Sequence, residues 1–119
     1  METMPLANLF EVFSERLNTN VRLRSLLAAW RSALHIASRD TGETFRIHIE
    51  GGRVQQIVRV ASEPDDEGLL LRADESVLQR IFSCRLSPLA AHTDGLLEVY
   101  GPEKDQIKLD MIALVLWGA

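Results

Sequence analysis

The chain has a single cysteine, Cys84, in 119 residues. No intramolecular disulfide can form, and the sequence suits a reducing compartment. No run of lysine or arginine is present. With a net charge of −4 and a pI near 5.3, the chain lacks the basic surface that neutralising phosphates requires. That excludes nucleic acid as its main partner. No apolar run reaches the roughly 18 residues a membrane span needs. Residues 1–20 mix acids among apolar side chains, with no basic stretch before an apolar core. They do not read as a secretory signal. Trp117-Gly118-Ala119 is not the Ser-Lys-Leu peroxisomal address. The cytoplasm is therefore the expected location. Catalytic signatures are missing as well. The chain has no H-x-x-x-H or H-E-x-x-H, no G-x-G-x-x-G, no Walker loop and no G-x-S-x-G.

What remains is an ordinary globular composition, 46 % apolar and 25 % charged. The length predicts one domain over residues 1–119, since two halves could not each bury a core. Leu6, Leu9, Phe10, Phe13 and Leu17 recur at helical spacing, with Pro5 at the helix start. Asn18-Thr19-Asn20 interrupts, and either asparagine can cap the next helix. Leu23, Leu26, Leu27 and Trp30 make a second apolar stripe. The ordinary reading of both stripes is core packing.

The period then changes. Phe45, Ile47 and Ile49 alternate with Arg46, His48 and Glu50, which predicts a strand buried on one face. Glu50-Gly51-Gly52 predicts a tight turn. Val54, Val58 and Val60 lie in phase on a returning strand. Asp40-Thr41-Gly42 places another strand over Leu34 to Arg39, completing a three-strand meander. Ser62 to Gly68, with Pro64 and three acids, reads as an exposed loop. Leu69-Leu70-Leu71 predicts a fourth strand, and its lack of alternation predicts burial on both faces. Asp74 can cap a helix whose apolar face is Val77, Leu78, Ile81 and Phe82. Ser87-Pro88 starts a short helix, and Asp94-Gly95 ends it. Leu96 to Tyr100 is a last strand, and a final helix runs from about Glu103 to Trp117.

Few residues suggest chemistry. His35, His48 and His92 are scattered, and His48 sits on the polar face of a strand. Cys84 lies at a helix end, away from the positive N-terminus that activates thiols. Asp65, Asp66 and Glu67 form a consecutive charge run, which is usually only solvated. The conspicuous feature is apolar. From Met111 onward the last helix is apolar on every side, so it requires a second apolar neighbour. That neighbour is a subunit interface, deeper burial or a bound ligand, and composition does not choose among them.

Three segments carry a resemblance: Ala73-Asp74-Glu75 through Ile81-Phe82, then Leu86-Ser87-Pro88-Leu89-Ala90-Ala91, then Gly95-Leu96-Leu97-Glu98-Val99-Tyr100-Gly101. Their order and spacing resemble the C-terminal half of the sterol carrier protein domain. The likeness covers about Phe45 to Leu116 and is only architectural over the first two helices. One departure is Cys84, where the family usually has glycine before x-L-S-P. The resemblance implies an α/β (α+β type) fold, with a five-stranded, mostly antiparallel sheet covered by helices on one side and an apolar tunnel between the layers. It implies a non-catalytic carrier for a fatty acid, acyl-CoA, sterol or isoprenoid quinone intermediate, with no cofactor and no metal. Its partner is then an apolar small molecule or lipid, with transient membrane contact allowed. Phe82, Leu86, Leu89, Leu97, Val99, Met111, Ile112 and Val115 are the expected apolar lining. Two other readings remain. One is a homodimeric or accessory module for a lipid-metabolising or quinone-biosynthesis enzyme. The other is a small enzyme shaping an apolar substrate, with His35 or His92 as its titratable group.

Overall fold

A computed structural model describes residues 4–62 and 68–118. Residues 63–67, the centre of the expected acidic loop, lie outside the described residues. The elements are α1 Leu6–Thr19, α2 Val21–Leu26, β1 Ser32–Ser38, β2 Thr44–Glu50, β3 Arg53–Val60, β4 Leu69–Ala73, α3 Glu75–Phe82, α4 Pro88–Thr93, β5 Glu98–Tyr100 and α5 Glu103–Leu116. The strands form one sheet in the order β3-β2-β1-β4-β5. All neighbours are antiparallel except β1 and β4, which run parallel.

Apolar periodicity decides which face of each element is covered. In α1, Leu6, Leu9, Phe10, Phe13 and Leu17 are all buried. They join Leu34 and Ile36 of β1, and Phe45, Ile47 and Ile49 of β2, in one core. Burying each such side chain contributes about 1.5–3 kcal/mol. An aromatic cluster closes one end of this core. The Phe82 ring lies 4.9 Å from Phe10, 5.4 Å from Phe13 and 6.2 Å from Trp117. The Trp117 indole donates to the Ile81 carbonyl at 2.8 Å. The all-apolar end of α5 thus finds its second neighbour in α1 and α3, while Leu114 stays 58 % exposed.

Both asparagines are used. The Asn20 side chain caps α2 by accepting from the Leu23 N–H. Asn18 bonds both backbone groups of Val54, fastening the end of α1 to β3. Arg16, in the last turns of α1, donates to the Leu116 carbonyl and to the Cys84 sulfur. The carbonyl contact satisfies an acceptor that a helix C-terminus leaves open.

Several expectations need correction. α2 ends at Leu26, so Trp30 lies beyond it, and Leu26 itself is 42 % exposed. A six-residue helix is too short to carry the whole stripe. The valines of β3 do not share a face. The register shifts beside His48 and Ile49, so that Gln55 is an extra residue. Val54 therefore pairs with Ile49 and Ile57 with Ile47 on the core side, and Val58 and Val60 point the other way. β4 is not buried on both faces either. Leu69 and Leu71 are buried while Leu70 is only half-buried, because the helices cover a single side. The strand buried on both faces from Ala33 onward is β1, the middle one, with Leu34 and Ile36 toward the helices and Ala33, His35 and Ala37 away from them.

The cap of α3 also differs. Asp74 makes no side-chain cap bond. It pairs instead with Arg39 at 3.4 Å. Another open N–H of the first turn, that of Glu75, is taken by Asp40, at 2.9 Å, from the β1–β2 turn. By contrast, Ser87 caps α4 as expected, accepting from the Leu89 N–H at 3.1 Å, with Pro88 next in the chain.

Candidate functional site

The lining residues expected from sequence fall into three positions. Leu89 of α4, Leu97 and Val99 border a crevice of about 30 Å³ together with Pro88, Leu109 and Ala113. Phe82 and Ile112 are packed inside the core. Leu86, Met111 and Val115 are half-buried, and the structure does not bring them to this crevice. Pro88, Leu109 and Ala113 were missed. Leu109 and Ala113 lie four apart, one turn of α5, so a helical wheel drawn on α5 with the α4 side marked would have found them.

Local structure explains why the crevice sits there. α4 is short and ends at Asp94. The N–H groups of Leu96 and Leu97 bond back to the Ala91 carbonyl, and this turns the chain into β5. Gly95, at φ 77°, makes the turn possible. Leu97 is buried as a result, and Val99 faces Leu71 across the β4–β5 pair. Leu109 and Ala113 approach from α5. The crevice wall is apolar, and its rim carries His92, Gln106 and Asp110. A 30 Å³ space holds about one water's share of volume, whereas ligand pockets span about 300–1,000 Å³. A chain-like ligand would enter this region only if α4 and α5 moved apart.

The polar groups nearby face the other way. Glu98 lies on the sheet face away from the helices, bonded to the Tyr100 hydroxyl at 2.6 Å and 3.4 Å from Arg39. The Tyr100 hydrogen bond, then Arg72 and Arg39, hold the Glu98 carboxyl below its ordinary range. The same bond raises the Tyr100 phenol. His35 is buried, but it points away from the helix layer. Its Nδ1 lies 3.3 Å from the Leu69 carbonyl. His92 is exposed on the crevice rim, and His48 lies 3.6 Å from Glu50. Among the described residues no three His, Cys, Asp or Glu side chains gather as metal ligands. Among them, too, no helix is long and apolar enough to cross a membrane.

No protein-family model matches the sequence, and no curated protein sequence matches it. Solved structures do match. A crystal structure of sterol carrier protein 2 superposes with a TM-score of 0.69 at 20 % identity, over 92 % of this chain and 94 % of that one. The chain has the sterol carrier protein fold. Palmitated SCP2L2 from Aedes aegypti matches with a TM-score of 0.62 at 13 % identity, over 92 % and 95 % of the two chains. The sec-alkylsulfatase Pisa1 from Pseudomonas sp. matches at 0.68 and 14 % identity, and there this chain covers 92 % of itself but spans only 16 % of the enzyme. The expected sheet, mostly antiparallel and covered by helices on one face, is thereby found.

Proposed function

We propose that the protein is a non-catalytic carrier for an apolar ligand, acting as one domain-sized unit. The ligand would be a fatty acid, acyl-CoA, sterol or isoprenoid quinone intermediate, seated between the helices and the sheet. The observation that supports this most is the apolar crevice under α4 and α5, in a fold shared with sterol carrier protein 2 and with a palmitated relative of the same fold. Opening the crevice would expose Leu89, Leu97, Val99, Leu109 and Ala113 to the ligand, with Met111, Ile112 and Val115 next along α5. A C16 chain buried there contributes on the order of 10 kcal/mol gross, at about 0.8 kcal/mol per CH₂. The costs of association, about 4–15 kcal/mol, and of separating the two helices are set against that gain. Displacement of a fluorescent fatty acid tests the reading, alongside mass spectrometry of lipids extracted from the purified protein. Saturable displacement supports it. A protein that carries no lipid and binds no probe overturns it.

A second reading is an accessory module for a larger enzyme or a homodimer. Two observations favour it. Ile107 and Leu114 on α5 are 48 % and 58 % exposed. The fold also occurs as 16 % of the alkylsulfatase chain. Sedimentation at low micromolar concentration separates the homodimer from the carrier.

A further inference from the structure

On the far side of α5 from the crevice lie two hollows, of about 430 and 280 Å³, that share Arg31, Lys104 and Asp105. Arg46 and His48 border the larger, and Lys108 the smaller. The two lysines are the only ones in the chain, in a protein whose net charge is −4. Their gathering is a consequence of the fold. Arg46 and His48 alternate with Phe45, Ile47 and Ile49, so they occupy the sheet face away from the core. Arg31 immediately precedes β1, and β1 pairs with β2 in the register Ala33–His48 and His35–Arg46. Lys104 and Lys108 lie four apart at the start of α5, on one side of that helix.

What sets these cations apart is that three of them border one hollow, none with a carboxylate partner among the described residues. Arg39, Arg59 and Arg72 each have a carboxylate within 4.0 Å. Arg31, Arg46 and Lys104 have none among the described residues. The one acid lining the larger hollow, Asp105, is 5 % exposed, and its oxygens are occupied by the Trp30 indole at 2.8 Å and the Ser32 hydroxyl at 3.2 Å. Three permanent cations against one lining carboxylate give this hollow a formal charge of +2, and the Glu50 carboxylate lies 3.6 Å from His48 at its border. The first turn of α5 borders it through Pro102 and Lys104 and adds the partial positive charge of a helix N-terminus.

We propose that this hollow binds a phosphate monoester, gripped by Arg31, Arg46 and Lys104. A monoester carries about −1.5 to −2 charge and three acceptor oxygens, which matches the uncompensated charge. Guanidinium forks reach such oxygens two at a time. The phosphate is either that of a small soluble ester or the headgroup of a lipid. The site is separate from the apolar crevice and does not depend on the carrier reading.

Isothermal titration with sn-glycerol 3-phosphate, and co-sedimentation with phosphatidylcholine vesicles with and without phosphatidic acid, test it. Saturable binding of glycerol phosphate identifies a soluble ester. Binding only to vesicles that contain phosphatidic acid identifies a lipid headgroup. In either case R46Q and K104Q lose about tenfold or more in affinity. R59Q, on the core-side face of edge strand β3 and paired with Glu43, keeps wild-type binding. Circular dichroism melting of each variant without ligand verifies that it is folded, and R31Q replaces any that is not. No saturable binding to either probe overturns the proposal, as does an equal loss in R59Q. Fatty-acid displacement is read separately, so failure of the carrier reading and failure of this one are distinguishable.

Discussion

The indole N–H of Trp30 donates to Asp105 at 2.8 Å, joining the turn before β1 to the first turn of α5 across 75 residues of sequence. The carboxylate is buried, with the Ser32 hydroxyl as its other side-chain donor. Trp30→Phe keeps an aromatic ring but removes the N–H. A buried acceptor that loses a donor costs about 1–3 kcal/mol. Urea unfolding should show that loss at unchanged slope. In a double-mutant cycle with Asp105→Ala, the two substitutions should be strongly non-additive. Additive effects would mean that the bond contributes nothing of its own.

Two adjacent glycines should respond very differently to alanine. Gly51 and Gly52 both have positive φ, 62° and 74°, in the β2–β3 turn. A Cβ on Gly51 meets only the Ala28 carbonyl, at 3.8 Å. Gly51→Ala should therefore cost about 1 kcal/mol, the conformational penalty alone. A Cβ on Gly52 would fall 2.2 Å from the Leu27 carbonyl oxygen, which is backbone. Gly52→Ala adds overpacking to the same penalty and should cost about 3 kcal/mol. Thermal melts of the two variants give the comparison, and equal values would refute the role of the Leu27 contact.

Cys84 is the one non-glycine residue with positive φ among the described residues, at 66°. Its N–H and that of Arg85 close the end of α3, bonding to Ile81 and Arg80. A side chain there is strained by roughly 1 kcal/mol. Cys84→Gly should stabilise the protein by about that amount, less whatever the Arg16 contact to the sulfur contributes. Cys84→Ala loses the same contact and keeps the strain, so it should show no gain. A C84A variant as stable as C84G would place the effect in the sulfur and not in the backbone.

Asp40 should make the protein sensitive to acid. The Glu75 N–H and the Ser38 hydroxyl both donate to its carboxylate, and they hold its pKa below the ordinary 3.8. A depressed carboxyl contributes stability that is present above its unfolded value and lost as pH falls through the folded one. Asp40→Asn should lower the melting temperature near neutral pH. The gap to wild type should narrow as pH falls below 3.8. Melting curves across that range check the sign, and a gap that widens in acid contradicts it.

Local patterns were legible in the sequence where one residue type does one job. The α1 stripe, the Gly51-Gly52 turn and the Ser87-Pro88 helix start stand in the structure as read. The sheet and its helical cover were expected from the Leu86–Gly101 resemblance and are present. Features that depend on pairing were not legible. The extra residue at Gln55 leaves no trace in composition, yet it reverses the faces of Val58 and Val60. Asp74 precedes α3 as a capping residue should, but Asp40, distant in sequence, reaches the helix first. Leu69-Leu70-Leu71 has no alternation to read, so its exposed face is fixed only by which side the helices cover. The cationic hollow draws Arg31, Arg46 and Lys104 from three separate stretches of the chain, and no spacing rule connects them. Of the residues that border the crevice, Leu89, Leu97 and Val99 were named from the resemblance of their segment. Leu109 and Ala113 were hidden in a helix that is apolar over most of its second half.

The irregularity at Gln55 also bears on how copies of this chain meet in concentrated solution. β3 is eight residues long and lies at the margin of the sheet, where its outer N–H and C=O groups could template another molecule's strand. A continuous flat strand in that place invites stacking into fibrils. The extra residue breaks the run, sharpens the local twist and prevents one register from extending along its whole length. Arg53 and Arg59, both exposed, put like charges on any copy that tries to align in register. Deleting Gln55 would straighten the margin, and the resulting chain should cluster at concentrations the natural sequence tolerates.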